Sequence, residues 1–266
     1  MPYHWLPPTA GYAMLVLVMV WAWRRQLRTE NAGIVDLIWG AAIGALALLY
    51  ATLLAGWAPR AWLVAGLVGI WSGRLTWHLA QRMGREQEDG RYRQLREDAG
   101  DGWPAWSFVF FQAQALLAVL LSLVFLQLIS ADTAAAAGWR TWDLAGLILW
   151  LVAQAGEARS DHQLDLWRKD PANRGKSCRS GLWRYSRHPN YFFEWLHWVA
   201  YAIMATGLPG WPLCWLAPAV MLLLVRKVTG IPPTEQQSLK SRPVDYALYQ
   251  RETNAFFPGP PRRVTP

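Results

Sequence analysis

Long, nearly uninterrupted apolar stretches alternate along the chain with stretches dense in Arg, Asp, Glu and Lys, and that alternation sets the pattern of elements. Crossing about 30 Å of hydrocarbon takes roughly 20 consecutive apolar residues in a helix. Seven runs approach that length: 7–23, 33–55, 60–80, 105–129, 141–160, 189–207 and 211–229. Inside lipid the backbone has no water to bond, and a helix satisfies its own polar groups. The pattern therefore predicts an all-α, polytopic membrane protein, a bundle of seven transmembrane helices forming one domain over 1–266. The alanine run 134–137 reads as an external connector. The segment YALYQRETNAFFP reads as a folded tail, and 259–266 as a loose end.

The polar intervals orient the bundle, because cytoplasmic loops collect Lys and Arg. One side holds 23 of the 26 basic residues, in 24–28, 82–96, 159–187 and 226–263; the other holds Arg60 and Arg140, and Arg74 falls inside a run. The N-terminus is thus expected outside and the C-terminus in the cytoplasm. This distribution changes the meaning of the net charge of +8. Basic residues gathered at one membrane face serve topology and attraction to anionic lipid, not nucleic acid. Eight of them lie in 159–187, more than orientation needs, which suits a water-facing site for an anionic ligand. Composition agrees: residues are 53% hydrophobic and 17% charged, against about 25% charged in soluble domains. Two cysteines, Cys178 and Cys214, supply neither a disulfide framework nor a zinc site of the usual ligand count. No charged segment precedes the first run, which favours a retained span over a cleaved leader.

Ionisable groups inside apolar runs are costly and often functional. Asp36 lies about a turn into the second run, with Trp39 three residues on along the same face. It is either a site carboxyl or an interfacial one facing water. Trp71, Arg74 and His78 share one face of the third run. There Arg74 meets an anionic ligand such as a cofactor, or snorkels to the inner face. Gly69 and Gly73 form a small-xxx-small pair, which implies close helix packing. Glu157 and Asp161 are one turn apart and Arg168 is two turns further, a set that holds a ribose and a phosphate or forms a solvated helix end. In GLWRYSRHPNYFFEWLHW, Pro189 suits the first turn of a helix. Asn190, Glu194 and His197 then follow at helical spacing, while Arg184, Arg187 and His188 add charge where helix N-terminal amides favour phosphate. A capped helix alone does not explain Glu194 among aromatics. The chain has no G-x-G-x-x-G after a strand, no histidine-box spacing, no G-x-S-x-G and no P-loop, which excludes a Rossmann fold and a di-iron desaturase.

Together VDLIWG, RMGREQEDGRY, RSDHQLDLWRKDPANRGK, GLWRYSRHPNYFFEW and KSRPVDYALYQRETNAFFP resemble the membrane steroid 5α-reductase superfamily, in particular its bacterial DUF1295 branch, over most of the chain. RHPNY also occurs in isoprenylcysteine carboxyl methyltransferases and phospholipid methyltransferases; Asp161 and Arg168 upstream, combined with NYFFEW, are more specific to the reductases. The resemblance implies a seven-helix reductase of a bacterial inner membrane, holding NADPH in a cavity open to the cytoplasm. A lipid-soluble enone or steroid would enter from the bilayer. On this resemblance Asp161, Arg168, Asn190 and Glu194 match cofactor-contacting residues. Arg82, Arg85, Arg174 and Lys176 match basic groups around the phosphates, with Tyr185, His188 and Tyr249 as further members. Asp36 and Trp71 fall where steroid reductases keep an acidic residue and a tyrosine for the substrate carbonyl. Trp71 departs from that pattern, since an indole donates a hydrogen bond but supplies no acid proton.

The implied reaction is NADPH-dependent reduction of a C=C conjugated to a carbonyl, with hydride going to the β-carbon. Asp36 is the expected donor to the carbonyl oxygen, Trp71 or His78 assists, and Asp36, Trp39 and Trp71 bind the substrate. Two other readings stay open: a SAM-dependent methyltransferase of the isoprenylcysteine or phospholipid type, and a non-enzymatic membrane scaffold. Membrane lipid is an expected partner; nothing in the sequence points to a metal, to nucleic acid or to an obligatory protein partner.

Overall fold

The structure, a computed structural model, describes residues 5–54, 56–85, 88–131 and 138–263, apart from the Arg85 side chain. Arg85, expected near a phosphate, and the alanine run 134–137 therefore lie outside the description. Among the described residues there is no strand. The α-helices are α1 (Leu6–Thr29), α2 (Ile34–Leu53), α3 (Ala58–Arg85), α4 (Gly90–Ala99), α5 (Trp103–Ser130), α6 (Thr141–Lys169), α7 (Pro189–Ala205), α8 (Leu216–Leu223), α9 (Ile231–Ser241) and α10 (Pro243–Glu252). Pro7, Pro104, Pro189, Pro232 and Pro243 each sit in the first two positions of a helix, where a missing N–H leaves no bond unmade.

Among the described residues each of the seven apolar runs lies mostly on helix. Four stretches are long and apolar enough to cross a membrane: Leu6–Thr29, Ile34–Leu53, Gly90–Ser130 and Trp211–Ser241. Helices α1 and α3 run on past 23 and 80, and two runs differ most from the sequence pattern. Helix α6 continues nine residues past 160, and Arg168 and Lys169 in its last turn suit the negative end of the helix dipole. The run 211–229 is broken into a 3-10 turn (Trp211–Trp215), α8 and a π turn (Leu224–Val228), where Thr229 N donates to Leu224 O at 2.9 Å.

The chain divides into two compact units, 1–140 with 207–211, and 141–206 with 212–266. In the first, α2 closes on α3 at Gly40 and Gly44. A Cβ on Gly44 would lie 2.4 Å from Ser72 Oγ, and that hydroxyl donates to Gly40 O at 2.7 Å. Gly69 and Gly73, the expected packing pair, have nothing within 4 Å of where a Cβ would stand. Spacing identified small residues on one face, but the face that meets a neighbour belongs to α2. Buried polar pairs, Tyr50 with Ser122 at 2.7 Å and Gln26 with Ser107 at 3.1 Å, tie α2 and α1 to α5.

In the second unit α6 and α7 form a close hairpin. A Cβ on Gly146 would meet Met204 at 2.2 Å, and one on Gly156 would meet the Phe193 ring at 2.4 Å. The tail after α8 is folded, as expected, into α9 and α10. The expected loose end is tied down as far as 262: Gly259 N donates to Tyr185 O at 3.0 Å and Arg262 N to Glu252 O at 2.8 Å.

Candidate functional site

In the first unit, Asp36 sits in the first turn of α2, where free amides favour a carboxylate. Asp89 caps α4 by accepting from Arg91 N at 2.9 Å, which fixes the turn that carries Arg91 and Tyr92. Tyr92 Oη donates to Asp36 Oδ1 at 2.7 Å. The Arg91 guanidinium lies 3.5 Å from Asp36 and 3.1 Å from Asp89, and Arg82 of α3 lies 3.1 Å from Asp89. Burial works to raise the Asp89 carboxyl, but hydrogen bonds and charge from Arg91, with Arg82, outweigh it and hold the group below its usual value. Two carboxylates thus face two guanidinium groups around a cavity of about 40 Å³, into which Tyr92 and Asp36 both open. Further along, Trp39 and Trp71 meet edge to face with ring centroids 6.4 Å apart. Trp71 is fully buried, and the buried Trp39 Nε1 has no hydrogen-bond partner among the described residues.

In the second unit, the close approach at Gly156 brings together residues 29 positions apart: Asn190 Nδ2 donates to Asp161 Oδ1 at 3.2 Å. A turn into α7, Glu194 accepts from Trp198 Nε1 at 3.4 Å and lies 3.8 Å from His197 Nδ1. Just before α7, Arg187 is almost wholly buried. Its guanidinium binds Glu235 at 2.7 Å and the carbonyls of Gln250, at 3.1 Å, and Thr253. His188 Nε2 is 3.2 Å from Glu235, and Gln250 donates to the other carboxylate oxygen at 2.8 Å. Burial pushes the His188 imidazole below its ordinary value, though Glu235 opposes this, so the ring is held toward its neutral form. Arg179 pairs with Asp245 at 3.0 Å and Glu252 at 3.2 Å. The exposed side chains of Arg159, Arg168, Arg174, Lys176 and Arg184 make no hydrogen bond or ion pair among the described residues.

Several residues expected from the sequence are therefore neighbours: Asp36 and Arg82 around one cavity, Trp39 against Trp71, Asp161 against Asn190. Others stand apart. His78 is exposed although Trp71, two turns before it, is buried, and Arg74 is half-buried between them. Tyr185 is exposed, while Tyr249 is buried with its hydroxyl donating to the carbonyls of Trp183 and Ser186. Tyr92, Arg91, Asp89 and Glu235 also stand in these clusters, and the apolar runs and their spacing do not single them out. A signal for the first three existed: Asp89 before GRYRQLRED is an N-cap ahead of good helix formers. Glu235 carries none, since its partner Arg187 is 48 residues away. Among the described residues no group of His, Cys, Asp or Glu is arranged to hold a metal ion.

The two clusters offer different chemistry. The first sets a hydroxyl and two carboxylates paired with guanidinium groups around a small cavity; the second sets amide and carboxylate groups near exposed cations. Compared with known proteins, residues 20–253 match the family described as a protein of unknown function, DUF1295. The chain is 25% identical to an uncharacterized protein of Schizosaccharomyces pombe over 96% of its own length and 81% of the relative's. It is 37% identical to 3-oxo-5-alpha-steroid 4-dehydrogenase 1 of Bos taurus over 68 residues, and equally to that of Mus musculus over 67 residues. Those matches span about a quarter of each steroid dehydrogenase, 26% in both. No solved structure matches the chain.

Proposed function

The chain belongs to the DUF1295 family, and from that premise we propose that it is a membrane reductase that uses NADPH to reduce a C=C conjugated to a carbonyl in a lipid or 3-oxo-Δ4-steroid-like substrate. We assign it to a bacterial inner membrane, with the cofactor residues on the cytoplasmic side. The partial likeness to steroid dehydrogenases supports the reaction class. One observation carries the assignment of substrate chemistry: the hydroxyl of Tyr92, 2.7 Å from Asp36, lies in a cluster whose own charges balance. Such a cluster stabilises a neutral carbonyl oxygen as it gains negative charge.

The residues present fit NADPH. The Asp161 carboxylate and Asn190 amide, held at 3.2 Å, match the donors and acceptors of a ribose or a carboxamide. Arg168, Arg174 and Lys176, exposed and without protein partners among the described residues, suit the phosphates. Arginine recognises a 2′-phosphate in forked geometry, which favours NADPH over NADH. When bound, NADPH supplies the hydride for the β-carbon. The proton shared by Tyr92 and Asp36 is offered to the carbonyl oxygen, and the Arg91 guanidinium adds positive charge where the oxyanion develops. Preorganised donors of this kind act most strongly where water is excluded. Trp39, with its buried unpaired Nε1, and Trp71 shape the apolar approach. Water then protonates the α-carbon while the carbonyl oxygen returns its proton to the Tyr92–Asp36 pair, and solvent neutralises the hydroxide left behind, so one proton is consumed for each hydride.

The test is loss of reduced-nicotinamide absorbance when purified protein receives a panel of lipid and steroid enones, with the saturated product identified by mass. The proposal expects turnover with NADPH and at least one enone. Transfer of a labelled methyl group from SAM to a lipid acceptor, without enone-dependent oxidation of NADPH, would overturn it in favour of a methyltransferase.

A further inference from the structure

We infer that the groove between α6 and the 3-10 turn Gly181–Arg184 binds the phosphate of an anionic phospholipid whose acyl chain lies along the exposed face of α6. The groove, about 310 Å³, is lined by Arg159, Gln163, Gly181, Leu182, Arg184 and Tyr185. Its walls are fixed by specific bonds. Leu182 N donates to Gln163 Oε1 at 3.0 Å, and Trp183 Nε1 donates to Ser160 O at 2.9 Å. Gly181 has φ +58°, and a Cβ there would lie 2.4 Å from the Gln163 amide, so glycine is what lets the turn dock this closely. Docking sets Arg184 and Tyr185 across the groove from Arg159.

The electrostatics point to an anion. Neighbouring Arg179 and Arg187 are matched by Asp245, Glu252 and Glu235. The side chains of Arg159 and Arg184 have no partner among the described residues, and no carboxylate lines the groove. The adjoining surface points to a lipid. Leu144, Ile148, Leu151 and Val152 are 59%, 54%, 53% and 50% exposed and recur at helical spacing on one face of α6. Arg159 continues that face two turns beyond Val152, about 10 Å at 1.5 Å per residue. An apolar stripe that ends in paired cations matches an acyl chain that ends in a phosphodiester. Tyr185, 44% exposed, is an aromatic residue with a polar tip, a type that gathers at the membrane–water boundary. Asp161 lies two residues past Arg159, about 200° around the helix. The groove therefore opens away from the Asp161–Asn190 pair, and the inference does not rest on the reductase reading.

The experiment measures binding of fluorescent phosphatidylglycerol and phosphatidylcholine to the full-length protein in detergent. Wild type is expected to bind phosphatidylglycerol about twenty-fivefold more tightly, given roughly fivefold for each of the two basic residues near a charged lipid. Arg159→Gln with Arg184→Gln removes that preference. Lys169→Gln with Lys240→Gln, the same change in net charge elsewhere, keeps it. Arg159→Lys with Arg184→Lys also keeps it and tests the site if the glutamine pair fails to fold. Equal binding of the two lipids by wild type, or an unchanged preference in the glutamine pair, would overturn the inference. Displacement of phosphatidylglycerol by millimolar inorganic phosphate or by NADP⁺ would assign the groove to a soluble phosphate and overturn the lipid as its occupant.

Discussion

The cluster around Asp36 and the cluster around Arg187 use the same residue types to opposite ends. Around Asp36, two carboxylates meet two guanidinium groups and a tyrosine, and the set closes on itself around a small cavity. Around Arg187, the ion pair with Glu235 locks the tail to the start of α7, while Arg168, Arg174 and Lys176 remain outside that network without partners among the described residues. The difference teaches what each region is able to bind. A self-neutralised cluster accepts a polar but uncharged group at little electrostatic cost, whereas a region with surplus cations gains most from a polyanion.

The largest expected effect tests the structural half of this contrast. Arg187→Ala leaves the Glu235 carboxylate without its guanidinium partner and frees two backbone carbonyls. Breaking one side of such a pair costs about 3 kcal/mol or more. Chemical denaturation in detergent should show that loss, and a loss under 1 kcal/mol would mean that the network is not a structural lock. Next, Tyr92→Phe removes the hydroxyl on Asp36 while keeping the ring; losing one oxyanion donor lowers kcat by roughly a hundredfold. Steady-state kinetics with the responsive enone should show this with NADPH affinity unchanged. An unaltered kcat would move the acid to another group.

Asn190→Ala sharpens the other side of the comparison. It removes the bond to Asp161, and NADPH affinity should fall about tenfold by calorimetry, the size expected for one hydrogen bond to a charged group, with the melting temperature little changed. The smallest effect concerns pH. The His188 imidazole is depressed in the fold by burial, so the unfolded chain takes up its proton first as pH falls below the ordinary value of 6.5. The stability it contributes is complete above that pH and declines as pH drops toward the folded value. In His188→Gln, the slope of stability against pH below 6.5 should flatten.

Helix existence was legible in the apolar runs, because a segment that must satisfy its backbone in lipid has few alternatives. The contact of Asp161 with Asn190 was also within reach, since the two lie where consecutive helices meet. Contacts between segments distant in sequence were not. Tyr92 meets Asp36 across 56 residues, from a charged interval that reads as loop until Asp89 is recognised as a cap. The Arg187–Glu235 pair depends on how the tail returns over the start of α7, and no spacing encodes that. Periodicity likewise placed Gly69 and Gly73 on one face without telling that α3 leaves that face open, while Gly40 and Gly44 of α2 make the close contact.

The account turns on whether the surplus cations of the second unit hold a phosphorylated dinucleotide. Calorimetry of the purified protein with NADPH and NADH, in parallel with S-adenosylhomocysteine, addresses this most directly. The account predicts NADPH affinity at least tenfold above that of NADH, the value of one good phosphate contact, and no heat from S-adenosylhomocysteine. Equal affinity for the two nucleotides, or binding of S-adenosylhomocysteine alone, would contradict it.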